Sequence, residues 1–112
     1  MNAEQIRVFC LSLPHATEDV QWESLLFRVG RKMFAIMPLE GGREHCLSFK
    51  TSQEKAAELV ENEDIDPAPY LARYHWVALR RFDAIPAREL KDLLRESYEL
   101  VKAGLPKRLR PN

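Results

Sequence analysis

Three histidines and two cysteines are the side chains of this chain best suited to metal binding or nucleophilic chemistry. His15, His45, Cys46 and His75 make no HxxxH or CxxC pair, the spacings at which a helix or tight turn presents two ligands to one ion. His45 and Cys46 are neighbours on an expected strand, where successive side chains point to opposite faces. No metal site and no cofactor are expected. Cys10 falls on the apolar stripe of an expected helix, where a thiol behaves as a small apolar group. Cys46 could lie near a histidine, yet no GxSxG, HExxH or phosphate-cradling glycine loop accompanies it. Ser97 and Tyr98 sit on the apolar side of the last expected helix and read as a buried, locally bonded hydroxyl pair. No catalytic residue is expected, and the chain reads as a binding protein rather than an enzyme.

Cations offer a different chemistry, the neutralisation of phosphate, often with aromatic groups that stack on bases. Arg28, Arg31 and Lys32 cluster at the tip of a first hairpin. Arg43 belongs to a second tip but is flanked by Glu40 and Glu44. Lys50 ends a strand, Arg73, Arg80 and Arg81 bracket another, and the segment after Glu99 carries Lys102, Lys107, Arg108 and Arg110 with no acid. Against this stands a whole-chain balance of 17 basic and 17 acidic residues, which excludes strong long-range steering toward a polyanion. The stretch RYHWVAL, residues 73–79, divides on strand alternation. Trp76 is expected in the core with Tyr74 and Ala78 on its face, and His75 on the opposite face beside Lys50 and Lys32. That patch could take a small anion, while the separate acidic run Glu58, Glu61, Glu63, Asp64 and Asp66 suits a protein partner.

These residues must be placed by a single domain of ordinary composition, 46% apolar and 30% charged. Ile6, Phe9, Cys10 and Leu13 recur at helical spacing until Pro14 stops them. The period then changes: DVQW (19–22), LLFRV, KMFAIMPL and HCLSFK read as strands, with turns at Gly30-Arg31 and at Glu40-Gly41-Gly42-Arg43. TSQE (51–54) predicts a capping box with Thr51 as N-cap and Glu54 reaching back, opening a helix that turns Ala56, Leu59 and Val60 inward. ENEDIDPAP predicts a loop, and Pro69 opens one helical turn through Tyr70, Leu71 and Tyr74 before the strand WVALRRF. Pro86 then starts a helix whose one face is Leu90, Leu93, Leu94, Ser97, Tyr98 and Val101, ended by Gly104 and Pro106. The expected order is α-β-β-β(-β)-α-α-β-α, an antiparallel meander covered by helices in an α+β fold. Residues 1–104 form the domain and 105–112 a basic tail.

Two widely separated cysteines suggest reduced thiols and a cytoplasmic setting. The opening MNAEQIRVFC is broken by Glu4, Gln5 and Arg7, unlike a secretory leader, and no run approaches the ~18 apolar residues of a membrane span. A monomer with no membrane contact is expected.

SLPHATEDVQW, GRKMFAI, LSFKTSQEKAAEL, PAPYLARYHWVAL and ELKDLLRESYELV, in this order and spacing over residues 12–102, resemble the MmcQ/YjbR family. The resemblance implies a CyaY-like, frataxin-like antiparallel sheet covered by helices. It also implies DNA binding through a "double wing" of β-hairpins, and brings no catalytic residue. Frataxins carry an acidic ridge on their first helix for iron. Here that helix has Glu4 as its only acid and also carries Arg7, so iron handling is not implied.

Overall fold

A computed structural model describes residues 1–41 and 43–110. Gly42, in the second expected turn, and Pro111 and Asn112 of the basic tail lie outside the described residues. Helix α1 (Ala3–Ser12) is followed by strands β1 (Thr17–Gln21), β2 (Ser24–Val29), β3 (Lys32–Pro38) and β4 (Leu47–Lys50). Then come α2 (Gln53–Leu59), β5 (Ile65–Pro67), β6 (Trp76–Leu79) and α3 (Ala87–Ala103), with single 3-10 turns at Ala72–Tyr74, Phe82–Ala84 and Lys107–Leu109. The six strands form one sheet in the order β1-β2-β3-β4-β6-β5, every neighbour antiparallel. The expected α+β meander is therefore present, with one strand more than the sequence suggested.

Alternation in β2 sends Leu25, Phe27 and Val29 to the face that meets the helices, where they join Phe34, Phe49, Val77 and Leu79. Helix α3 lies across β3 and β4 and buries Leu90, Leu93, Leu94, Ser97, Tyr98 and Val101, the face its periodicity predicts. Each fully buried leucine there contributes roughly 1.5–3 kcal/mol relative to exposure. Tyr98 packs edge-on to Phe34 at 5.5 Å and donates its hydroxyl to the Pro14 carbonyl at 2.6 Å, tying α3 to the end of α1. Helix α1 contributes Ile6 and Cys10. It starts on a reciprocal cap in which Asn2 Oδ1 accepts from the Gln5 N–H and Gln5 Oε1 accepts from the Asn2 N–H.

Four expectations are corrected. The acidic, proline-bearing stretch is not all loop: Ile65–Pro67 pairs with β6 as the outermost strand, a place where terminal proline and charge are tolerated. The N-cap of α2 is Ser52, whose hydroxyl accepts from the Lys55 N–H, because Thr51 is already committed. Thr51 donates its N–H to the His75 carbonyl at 2.9 Å and extends the β4–β6 pairing. The last strand stops at Leu79, and Arg80 and Arg81 leave it for acidic partners. Finally, His75 is not in a strand. It closes the 3-10 turn in a left-handed conformation, φ 66°.

In RYHWVAL the two faces group as alternation predicts, but the one that meets the helices is that of Val77 and Leu79. Val77 and Leu79 enter the main core, while Trp76, although only 5% exposed, is buried on the opposite face of the sheet. There it packs with Ala68 and Ala78, against Met33, Ile36 and Leu71, under the chain that crosses from β5 to β6.

One polar interaction controls how β3 and β4 meet. They pair directly only at Ala35↔Phe49 and Ile36↔Ser48. At the next position the Ser97 hydroxyl, fully buried, accepts the Lys50 N–H at 3.0 Å and donates to the Phe34 carbonyl at 2.6 Å. The hydroxyl is thus bonded across the sheet rather than locally, and the strands diverge beyond it toward Lys32 and Lys50.

Candidate nucleic-acid interface

The β2–β3 turn is Gly30-Arg31, with φ +54° and +78°, the left-handed pair that two-residue hairpins favour. Arg31 accepts that geometry at a cost of roughly 1–2 kcal/mol, and its side chain is exposed beside exposed Lys32. Gly30 is required for a second reason. A Cβ there would lie 2.4 Å from Leu105 Cδ1 and 2.8 Å from the Leu109 carbonyl oxygen. The C-terminal segment is therefore docked on this turn, with Leu105 buried in the main core and Lys107 and Arg108 exposed alongside.

Where the strands diverge, an open cavity of about 460 Å³ extends from this turn and the end of α3 to Trp22, which stands on the β1–β2 turn at the other end of β2. Arg28, Arg31, Lys32 and Lys50 line it, with Trp22, Tyr74, Trp76 and Met33 supplying aromatic and apolar surface. No carboxylate is among its described lining residues. Leu100, Val101 and Gly104 of α3 close its inner side. Lys50 Nζ donates to the Tyr74 carbonyl at 2.5 Å, and partial burial lowers the pKa of its ammonium. Arg73 stacks on the Tyr74 ring at 4.8 Å and donates to its hydroxyl at 2.7 Å.

The twelve expected phosphate-binding residues separate into two sets. Around the cavity, Arg31, Lys32, Lys50, Arg73, Lys107 and Arg108 have no carboxylate within 4.0 Å among the described residues. Arg28 shares this region, although Asp19 takes its Nε at 2.8 Å and the Arg31 carbonyl takes Nη1. Arg110 is spent on the end of α3, donating to the Leu105 and Ala103 carbonyls. The other set lies toward the opposite end of the strands and is neutralised. Arg43 meets Glu23 at 2.8 Å, Arg81 meets Asp83, and Arg80 bridges Asp66 at 2.7 Å and Glu44 at 3.0 Å. His75, expected on an anion-binding patch with Lys50 and Lys32, is absent from the cavity's described lining; it closes the 3-10 turn in a left-handed conformation ahead of the strand.

His45 is not aligned with Cys46 toward an ion. Its Nε2 meets Asp66 at 2.8 Å, within a group that includes Glu44. Arg80 already occupies the cation position against both carboxylates, so the arrangement works as an ion-pair network. The His45 and Arg80 contacts together hold the Asp66 carboxyl below the usual carboxylate range. Cys46 donates to the Leu79 carbonyl, and burial raises its thiol to about 11.

Trp22 was the residue least visible in sequence. It was expected to end a strand, but it occupies the β1–β2 turn with Glu23, at φ 53° and 61°. The available signal was a large aromatic side chain where Asn-Gly or Asp-Gly would normally serve a two-residue turn.

The YjbR family model matches residues 11–100. The Escherichia coli K12 protein YjbR is 26% identical over 114 residues, spanning 98% of this chain and 95% of that protein. The crystal structure of the Deinococcus radiodurans protein DR2400, a DUF419 domain, superposes with a TM-score of 0.83 at 32% identity, over 96% of this chain and 84% of that one. A Pseudomonas syringae protein shares the fold with a TM-score of 0.69 at 22% identity, over 89% of this chain and 98% of that one. Given the match over residues 11–100, this chain belongs to the YjbR family.

Proposed function

We propose that this protein binds nucleic acid through its phosphates, using the β2–β3 turn, Lys50, Arg73 and the C-terminal Lys107 and Arg108, as a binding module without base-sequence readout. The observation that carries this reading is the sorting of cations. At one end of the sheet Arg31, Lys32, Lys50, Arg73, Lys107 and Arg108 have no carboxylate within 4.0 Å among the described residues, Arg28 alone of that group meeting Asp19, while Arg43, Arg80 and Arg81 at the other end are neutralised. Phosphate contacts from such groups release counterions, so affinity falls steeply with salt and varies little with sequence. The double-wing expectation is thereby narrowed to one wing, since the second hairpin spends its arginine on Glu23.

Fluorescence anisotropy with labelled oligonucleotides at about 50 mM salt tests this. A dissociation constant of about 1–100 μM is expected, the range of non-specific binders. Arg31→Glu with Lys32→Glu should weaken binding by at least about tenfold for every sequence and flatten the salt dependence. Arg43→Ala should leave it within about twofold, as expected for a rim charge with a local partner. Absence of binding at about 100 μM protein would end the proposal.

A further inference from the structure

Resting on that phosphate-binding reading, we infer that the cavity beside the β2–β3 turn receives one unpaired base, so that the protein prefers single strands to duplex. Trp22 is the first reason. Its side chain is 77% exposed, yet its backbone is held in a left-handed conformation that costs a non-glycine residue roughly 1–2 kcal/mol. Its turn partner Glu23 has local work, accepting from Arg43 and, through its carbonyl, from the Leu39 N–H. The two-residue turn itself explains the backbone, but among the described residues no hydrogen bond or core contact accounts for a large exposed aromatic side chain at that place.

The cavity's composition is the second reason. Aromatic surface from Trp22, Tyr74 and Trp76 is interleaved with four cations, the pairing that single-strand binders use to stack bases and track the backbone. Trp76, although only 5% exposed, contributes to this lining, and its indole N–H has no protein acceptor among the described residues. A duplex keeps its base faces stacked and can offer this cavity only phosphate; an unpaired base offers a ring face. Finally, the cations continue past the cavity onto Arg73, Lys107 and Arg108, which fits a strand several nucleotides long better than a free nucleotide.

Anisotropy competition separates the possibilities. A mixed-sequence single strand of about 12 nucleotides, within the span that single-strand sites cover, is compared with its duplex, an abasic strand of equal length and free mononucleotide. The single strand should bind at least about tenfold more tightly than the duplex. Trp22→Ala should erase most of that preference, Trp22→Phe should restore much of it, and neither should alter duplex binding. The abasic strand should behave toward the parent protein as the intact strand does toward Trp22→Ala. Circular dichroism checks that Trp22→Ala is folded, and Trp22→Phe, which keeps a ring at the turn and leaves Trp76 as the sole tryptophan, supplies a second readout through quenching of Trp76 fluorescence by the strand. Equal affinity for strand and duplex, with Trp22→Ala silent, overturns the base-binding inference. It leaves the phosphate reading intact if Arg31→Glu with Lys32→Glu still weakens both ligands. Mononucleotide binding as tight as the strand overturns it in favour of a small-anion site. Failure of every nucleic acid to bind overturns both readings.

Discussion

Replacing Ser97 by alanine removes one oxygen atom from the interior and leaves two backbone groups of the sheet without a partner. The Lys50 N–H loses its acceptor at 3.0 Å, and the Phe34 carbonyl loses its donor at 2.6 Å. Ser97 itself is fully buried, so water does not readily replace the hydroxyl. Each unsatisfied buried polar group costs about 1–3 kcal/mol, and partial closure of β3 on β4 recovers some of it. We therefore expect a loss of about 2–4 kcal/mol, a large fraction of the ~5–15 kcal/mol that stabilises a domain of this kind. With a urea slope of about 1–2 kcal/mol/M, the unfolding midpoint should fall by about 1–4 M. Lys91→Ala, on the exposed side of the same helix, should change stability by less than about 0.5 kcal/mol and serves as the control. Amide exchange at Lys50 reports directly on the bond, and its protection should drop in Ser97→Ala. A loss below about 0.5 kcal/mol with Lys50 still protected would mean that the strands close on each other unaided, and would refute the role given to the serine.

Gly30→Ala combines a left-handed φ with a Cβ driven into the Leu109 carbonyl, so the C-terminal segment must move. The expected loss is about 1–3 kcal/mol, read by thermal unfolding, together with faster proteolysis after Lys107; an unchanged melting curve would contradict the docking. Burial raises the Cys46 thiol to about 11 and the Cys10 thiol to about 12. For Cys46 at pH 8 the thiolate fraction falls about 100-fold below that of a free thiol. Greater intrinsic nucleophilicity returns about tenfold, so reaction with a disulfide reagent should be about tenfold slower than for a peptide thiol. Cys10 should react slower still, and fast labelling of either in the folded protein would exclude the burial found here. Because the Asp66 carboxyl is held below its usual range, the stability it contributes is present above about pH 4 and is lost as pH falls through its folded value. The gap in urea midpoint between the parent and Asp66→Asn should accordingly be open at pH 6 and narrow progressively as pH falls below about 4; a gap independent of pH would count against the His45 and Arg80 contacts as its source.

The elements that could be read in the sequence are those whose signal is local and repeated. Helix α3 declares itself through six apolar-face residues between a proline and a glycine, and the β2–β3 hairpin through alternation about Gly30-Arg31. β5 was hidden because an edge strand of three residues carries the acids and prolines that otherwise mark loops. Alternation pairs Trp76 with Ala78 and Val77 with Leu79, as found, but it does not say which of the two faces meets the helices, and it does not apply to His75, which precedes the strand. The cation cluster was legible as composition, but its division was not. Whether an arginine is available to a ligand depends on which carboxylate the fold brings to it, and Arg80 finds Asp66 and Glu44 across strand ends that sequence spacing does not join.

The Ser97 bridge also has a kinetic meaning. Strands β1 to β4 follow one another as hairpins and close only short loops, whereas the two bonds of the bridge span 47 and 63 residues. Contacts that enclose so much chain form after the local ones, because loop closure is entropically costly until other structure shortens it. The meander can therefore assemble first and receive α3 late, and a hydroxyl that enters between β3 and β4 after the barrier would make Ser97→Ala unfold faster with its folding rate little changed. An interaction of that kind governs how long the native state persists rather than how quickly it is reached.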